Sequence, residues 1–288
     1  MDKTTFELGG GKPRQVYTPK ALTCNNCGAP IALYSERTQL IVCDACGMRL
    51  DCSDTELQAL GKETQKTNFS LSINQDFVWE ETKYKIIGAI RTKDSWGEYT
   101  ENYLLFHPFK GTIWAAKYIE DGSAEYFISK NTRMIPREDV FSIPKGQRIT
   151  TATGGKWKKK EAYTTTVTDV MGALPWVAKI GDVSKIVELT STSQHRQTLE
   201  AEQSQESKEI EFCLTQRISA RQFYAALGLS ESEAMKAFPY EKKGVSVEYI
   251  ILAIILFIVF SNMFFGGGSG GSYSSGRSYS GGGFSGGK

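Results

Sequence analysis

Two pairs of cysteines constrain the fold of this chain more than any other feature. Cys24-x-x-Cys27 and Cys43-x-x-Cys46 are separated by 15 residues, a spacing typical of zinc ribbons. Each C-x-x-C turn directs two sulfurs toward one point, and two such turns complete a tetrahedron of thiolates about 2.3 Å from the ion. We therefore predict a structural Zn²⁺ bound by these four cysteines in a zinc ribbon over residues 21–52.

The residues around the cysteine pairs support this prediction. Gly28 and Gly47 each follow a pair, where glycine permits a sharp turn and leaves backbone N–H groups directed at sulfur. Apolar residues alternate over 31–42 and predict a hairpin between the pairs. Four cysteine ligands leave no open position for a substrate, so the site is predicted to be structural. A redox dithiol pair and an iron–sulfur site are the alternatives, and Cys52 and Cys213 are predicted to be small buried residues.

A long apolar run near the end of the chain is the second constraint. Val245–Phe265 contains 21 residues, which as a helix would be about 31 Å long, the thickness of a bilayer core. A buried core helix is the alternative. Lys242 and Lys243 precede the run, and the positive-inside rule then places the preceding region in the cytoplasm. We predict a single-pass protein of the inner (cytoplasmic) membrane whose tail lies outside, consistent with an N-terminus that lacks an apolar signal stretch.

The rest of the chain divides by composition. We predict a flexible N-terminus over 1–20, a linker with one short helix over 53–68, a juxtamembrane segment over 230–244, and a disordered tail over 266–288, where 11 Gly and 7 Ser dominate. Residues 69–229 are predicted to form one β-rich domain. Its strand-like runs are rich in β-branched or aromatic residues and separated by turn signals, and they cover 71–74, 84–91, 103–106, 112–119, 124–129, 147–153, 162–169, 176–178 and 185–190.

This spacing of short strands predicts a mainly β fold, namely an all-β sandwich or open barrel with short C-terminal helices. Residues 194–209 are polar and predicted to be exposed. A helical period over 218–229 predicts a helix capped by Ser219, and 230–238 predicts a second one. Four tryptophans at strand positions or strand ends are predicted to anchor the core, with a shared binding surface as the alternative: Trp96, Trp114, Trp157 and Trp176.

Several short motifs in the β-rich domain resemble a known bacterial family, "domain of unknown function 4178". They lie in order between residues 70 and 228: Ile87-Gly88, Trp96-x-Glu98, Glu101-x-Tyr103-Leu104-Leu105, Ile113-Trp114, Gly155-Lys156-Trp157, Val170-x-Gly172-x-Leu174-Pro175-Trp176, Gly181-Asp182, Leu199-Glu200 and Ile210-Glu211-Phe212. The resemblance implies no assigned activity. Members of this family often carry an added zinc ribbon or membrane segment and are encoded near membrane-stress and phage-shock-type proteins. The resemblance therefore implies an envelope-associated role for this chain.

The sequence offers no recognisable catalytic set. Only two histidines are present, and neither falls in a Ser/His/Asp or Cys/His arrangement. A hydrolase site near Glu98, Glu101 and His107 is one alternative, which would require a polar pocket. We predict that the protein is not an enzyme and has no small-molecule substrate.

The charge of the chain indicates which classes of partner it can bind. The net charge of +2 disfavours a general nucleic-acid binder. One lysine cluster could contact an anionic surface such as lipid head groups, or could be a solvated hairpin tip: Lys156, Lys158, Lys159 and Lys160. We predict a non-enzymatic, membrane-anchored adaptor with membrane or envelope-associated protein partners. The alternative is a membrane-tethered nucleic-acid binder that uses the zinc ribbon and this cluster.

Overall fold

The computed structural model describes most of the chain before residue 235. The described residues are 20–53, 57–62, 68–120, 122–193, 197–206, 208–230 and 232–234, together with the backbone of 5–6 and 14–15. The predicted membrane run 245–265, the tail 266–288, nearly all of the predicted N-terminal segment and His195 lie outside the described residues. Within the described ranges, no helix is both long enough and apolar enough to cross a bilayer.

Strands dominate the described residues. In chain order the strands are β1 Thr5–Phe6, β2 Arg14–Gln15, β3 Lys20–Thr23, β4 Pro30–Leu33, β5 Leu40–Val42, β6 Met48–Asp51, β7 Gln58–Lys62, β8 Asp76–Trp79, β9 Thr82–Asp94, β10 Tyr99–His107, β11 Gly111–Glu120, β12 Ser123–Asn131, β13 Arg148–Thr150, β14 Lys156–Leu174, β15 Val183–Ser191, β16 Gln197–Ser204 and β17 Ile210–Ile218, followed by helix α1 Ala220–Ala226. The predicted mainly β class is confirmed.

Eight of these strands close into an antiparallel barrel. Strands β9 to β12 form one meander of consecutive hairpins, and β14 to β17 form a second. The last strands of the two meanders pair with each other, with Ser129 opposite Thr215, and the first strands pair as well, with Ile90 opposite Val170. The predicted sandwich or open barrel is therefore wrong in this detail, because the sheet has no open edge between β9 and β14.

The long strand β14 makes this closure. It has 19 residues and pairs with β15 over its first half, with β9 over 165–172 and with β5 through its last two residues, Ala173 and Leu174. Bulges between Lys159 and Glu161 and between Val167 and Asp169 interrupt its register. Bulges bend a strand and increase its twist, which lets one strand pass between three partners.

Each meander buries one face under an additional segment of chain. In the first, inward positions such as Tyr103 and Leu105 join a cluster that includes Phe223 of α1. In the second, Val187 and Leu199 pack under residues of the connection between β12 and β14. Burying each large apolar side chain contributes about 1.5–3 kcal/mol, so both covering segments stabilise the barrel.

Local signals predicted α1 well. Its N-cap is Ser219, whose side chain accepts a hydrogen bond from the backbone N–H of Gln222, and the Gln222 side chain accepts one from the Ser219 backbone in return. This capping box satisfies two N–H groups that a helix start leaves unpaired. Of the second predicted helix, the described residues 232–234 are helical.

Predictions about four individual segments are wrong. The predicted short helix of the linker is strand β7 over 58–62, which pairs with β6. The predicted exposed stretch contains strand β16, where fully buried Leu199 and Ala201 alternate with polar residues. Residues 71–74 and 176–178 are not strands, because β8 begins only at Asp76 and β14 ends at Leu174.

The close pairing of β9 and β14 should leave no room for a side chain at position 88, which is glycine. A Cβ atom there would lie 2.0 Å from the carbonyl oxygen of Ala173. We expect Gly88→Ala to destabilise the protein by about 3 kcal/mol or more, since backbone atoms must move. Gly111→Ala is the matched control, because Gly111 has a φ of +76° and open space around its Cβ position, and should cost only about 1 kcal/mol. Thermal unfolding of the purified protein would measure both, and equal losses would contradict the predicted clash.

Candidate metal centre

Each cysteine pair lies in a hairpin of its own. The first pair connects β3 to β4, and the second connects β5 to β6. The predicted single hairpin between the two pairs is wrong, because β4 pairs only with β3, whereas β5 pairs with β6 and with β14. We call the described residues 20–62, which carry both hairpins and β7, the cysteine module.

The two C-x-x-C turns have the same backbone geometry. The Cys24 N–H donates to the Ala29 carbonyl at 2.9 Å, and the Gly28 N–H donates to the Cys24 carbonyl at 2.9 Å. Cys43 repeats both hydrogen bonds, with Met48 at 2.9 Å and Gly47 at 2.8 Å. Gly28 and Gly47 have φ values of +75° and +71°, which glycine adopts without steric cost. The glycines therefore let each turn close tightly around its two sulfurs.

The four sulfurs fit a tetrahedral ion. The Sγ atoms of Cys24, Cys27, Cys43 and Cys46 all lie within 4.8 Å of one another. The Cys24–Cys46 and Cys27–Cys43 distances are both 3.8 Å. A tetrahedron with metal–sulfur bonds of 2.3 Å has edges of about 3.8 Å, whereas a disulfide bond is only about 2.05 Å long. The cluster can therefore hold a metal ion, and its spacing does not fit disulfides.

Polar groups around the cluster favour thiolates. The Asn26 side chain donates to the Cys46 sulfur at 3.4 Å, and this bond, together with the Met48 backbone N–H, lowers the pKa of Cys46 to about 6. Asn26 was not predicted as part of the site, although its place inside the first C-x-x-C turn could have indicated it. At Cys27 the Ala29 N–H also favours the thiolate, but the Cys46 sulfur, burial and the other two sulfurs together raise the pKa to about 12.

The opposed pKa shifts of Cys46 and Cys27 arise from their hydrogen bonds: Asn26 and Met48 favour the Cys46 thiolate, whereas the neighbouring sulfurs favour the protonated Cys27 thiol. Thiolates this close to one another would repel, and a positive charge between them would offset that repulsion. A divalent ion would supply that charge and release the thiol protons. Cys24 and Cys43 are buried, whereas Cys27 is exposed, so the cluster lies at the edge of the module's core.

The cysteine module is joined to the barrel by strand pairing, hydrogen bonds and apolar contacts. Ile41 of β5 pairs with Ala173 of β14, and Ala173 packs in the same apolar cluster as Cys24 and Cys43. Arg49 donates to the carbonyl of Ala178. At the other side of the module, the Tyr34 hydroxyl donates to Asn74 at 2.7 Å. The module and the barrel therefore share both backbone pairing and core.

The predicted lysine cluster does not form one surface. Lys156 and Lys158 are exposed, but Lys159 is only 5% exposed. Its ammonium donates to the carbonyls of Val140 and Ile143, each at 2.8 Å, and burial lowers its pKa. Lys160 forms an ion pair with Glu188 at 2.7 Å. Lys159 is thus a wrong choice for a surface contact, since β14 alternates and directs it inward.

The four tryptophans divide between core and surface. Trp157 is 4% exposed and belongs to the core of the second meander, and Trp114 is partly buried. Trp96 and Trp176 are 56% and 37% exposed, so the prediction that they are core residues is wrong. Each exposed ring nevertheless packs against another aromatic, Trp96 on Tyr163 and Trp176 on Trp114.

The residues of the hydrolase alternative do not converge. Glu101 is 2% exposed, and its carboxylate contacts Arg91 at 2.6 Å and the Tyr103 hydroxyl at 2.5 Å. His107 lies six residues further along the same strand, about 20 Å away, and its Nδ1 accepts backbone N–H groups of a turn at 3.1 Å. Glu101 is held as part of a buried ion pair rather than facing a pocket.

One groove of about 240 Å³ lies beside the cysteine module, lined by Tyr34, Asp76, Lys83, Tyr84, Lys85, Phe106 and Pro108. Its carboxylate, Asp76, pairs with Lys83 at 2.7 Å and with Lys85 at 3.2 Å. The volume is below the range of about 300–1,000 Å³ that small-molecule sites occupy. The groove therefore gives no support to an enzymatic site.

Comparison with known proteins finds no matching family model, no matching curated protein and no matching solved structure. The resemblance to the bacterial family described above therefore stays a prediction.

Removing one cysteine of the cluster should abolish metal binding. We expect Cys24→Ser to lose nearly all bound metal and to unfold the module, because three thiolates and a hydroxyl hold the ion far less tightly. Cys52→Ser is the matched control: Cys52 lies in the same module but outside the four-sulfur cluster. Elemental analysis of the purified proteins would measure both, and full metal content in Cys24→Ser would contradict the ligand assignment.

Proposed function

We propose that this protein is a non-enzymatic adaptor, anchored in the inner membrane, that presents a zinc-binding module and a β-barrel to partner proteins. The observation that carries the proposal is the four-cysteine cluster. Every position of a tetrahedral ion there would be filled by protein sulfur, so no substrate or water could bind the metal. A closed site of this kind stabilises a surface and does no chemistry itself.

Zinc is the ion that the ligand set favours most. Four thiolates in a tetrahedral arrangement suit Zn²⁺ or an iron–sulfur centre. The 3.8 Å sulfur separations fit a single ion with bonds of about 2.3 Å. A module of this size has too little apolar area to fold alone, so the ion would supply much of its folding free energy.

Rigid attachment supports an adaptor role. The module pairs with β14 of the barrel and shares an apolar cluster with it, so the two would present one fixed surface to a partner. Leu60 of the module is 41% exposed, and Trp176 and Ile180, in the segment after β14, are 37% and 48% exposed. Exposed aromatic residues such as Trp176 are enriched where proteins contact proteins.

The membrane anchor in the proposal depends on the sequence. The 21 apolar residues of Val245–Phe265 are sufficient for one span, and the lysines before them favour a cytoplasmic barrel. An envelope-stress role extends the proposal through the family resemblance alone. The nucleic-acid alternative depends on Lys156 and Lys158, whose side chains are exposed.

A pull-down would test the adaptor role. The tagged full chain would be isolated from gently solubilised native membranes, with bound proteins and nucleic acid both identified. We expect membrane or envelope proteins in stoichiometric amounts, and we expect Cys24→Ser/Cys27→Ser to lose them while Cys52→Ser retains them. Nucleic acid without a protein partner would overturn the proposal, and a chain released from membranes by an alkaline wash would overturn the anchor.

A further inference from the structure

A small sheet at the outside of the barrel gathers positive charge on one face. A bridge joins Pro136 to Thr151, the residue that follows β13, and β13 pairs with the start of β14. We call these three segments, residues 135–137, 148–151 and 156–158, the basic platform. Only ten and four residues of the chain separate consecutive segments, and strand pairing places the segments side by side.

The pairing register decides which side chains share a face. Arg148 lies directly opposite Lys158, and Thr150 directly opposite Lys156. The Arg137 N–H donates to the Thr150 carbonyl at 3.3 Å, one step from the Pro136–Thr151 bridge. Because side chains alternate along a strand, Arg137, Arg148, Lys156 and Lys158 project from one face. All four are exposed.

The opposite face of the platform is part of the core. Ile149 is 3% exposed, Trp157 4% and Lys159 5%, and Ile149 and Trp157 pack in the core of the second meander. Because of this alternation, the four basic side chains point toward solvent. A rotation of the platform that hid them would expose Trp157 and Ile149.

The arrangement carries a cost that a bound anion would relieve. Arg148 and Lys158 are like charges directly opposite each other, and such cross-strand pairs destabilise a sheet. No carboxylate occupies a register position among the four cations. The nearest acidic residues in sequence are Glu138 and Asp139, and Asp139 accepts the Phe141 N–H at 3.0 Å in the following turn.

One apolar residue shares the outward face. Ile135 is 54% exposed and lies two positions before Arg137, hence on the same side of the segment. An exposed aliphatic side chain among lysines and arginines is typical of surfaces that rest on a bilayer, where the apolar group enters the head-group region. Trp157, the aromatic inside the lysine cluster, is buried, so it cannot stack on an unpaired base as single-strand binders require.

We propose that the basic platform docks on anionic phospholipid head groups of the membrane that anchors the chain. The proposal rests on the membrane anchor proposed above. Each basic residue near an anionic bilayer strengthens binding about fivefold, so four weak contacts suffice once the barrel is tethered and its effective concentration at the surface is high. Docking would fix the orientation of the cysteine module and barrel relative to the membrane.

Lysine footprinting would test the proposal on the full chain. The protein would be reconstituted in nanodiscs of phosphatidylcholine, or of phosphatidylcholine partly replaced by phosphatidylglycerol, and treated with a water-soluble acylating reagent. We expect acylation of Lys156 and Lys158 to slow at least about fivefold in the anionic discs, and to recover in high salt, which screens exposed charges. Lys83, whose side chain is 67% exposed beside Asp76, should react equally in both lipids.

Charge variants make the test specific. Arg137→Gln/Arg148→Gln leaves both reporter lysines in place and should remove most of their protection. Lys185→Gln/Arg221→Gln removes two exposed charges elsewhere and should leave the protection unchanged. Equal acylation in the two lipids would overturn the proposal, and so would protection by added DNA or RNA in place of lipid.

The proposed membrane anchor and the proposed docking of the basic platform can be tested separately. If the full chain does not stay with the nanodiscs in high salt, the membrane anchor is wrong. The same footprint on the full chain mixed with anionic vesicles then still reports on the platform: protection of Lys156 and Lys158 would support it, and unchanged acylation would overturn it.

Discussion

The pairing of β14 with both β9 and β5 is the interaction on which the rest of the structure depends. At Gly88 the barrel closes so tightly that an added Cβ would meet the Ala173 carbonyl at 2.0 Å. Ala173 itself pairs with Ile41 of the cysteine module and packs among the buried residues around Cys24 and Cys43. One short length of backbone therefore closes the barrel and holds the module. Because the two parts share this segment, removing a bound metal should lower the stability of the barrel as well.

The chemistry of the cysteine cluster limits what the protein can do. A tetrahedral ion surrounded by four sulfurs has no free position, and the buried carboxylate of Glu101 is occupied by Arg91 and Tyr103. In the adaptor role proposed above, function would be carried by surfaces whose shape is fixed by the core. Two such surfaces are the one around exposed Trp176 and the basic platform. A fold alone does not name a partner, so the identity of the partner depends on which surface is used.

Local features of the sequence were predictable, and long-range ones were not. The C-x-x-C spacing with its following glycines, the Ser219 cap and the hairpins of β9 to β12 each depend on residues close together in the chain. Closure of the barrel depends on β14 meeting β9 some 80 residues earlier, which no local pattern encodes. Strand β16 was missed because its glutamates and glutamines concealed the alternation of Leu199 and Ala201. The inward direction of Lys159, between outward Lys158 and Lys160, follows from the regular alternation of β14, which a run of adjacent lysines conceals.

X-ray absorption spectroscopy at the metal edge of the purified full chain would show whether the four cysteines form a closed, single-ion structural site. We expect one zinc ion per chain with four sulfur neighbours at about 2.3 Å and no lighter neighbour. A nitrogen or oxygen ligand in the coordination shell, or the short metal–metal distance of an iron–sulfur cluster, would contradict it. Either result would reopen a catalytic or redox role for the module.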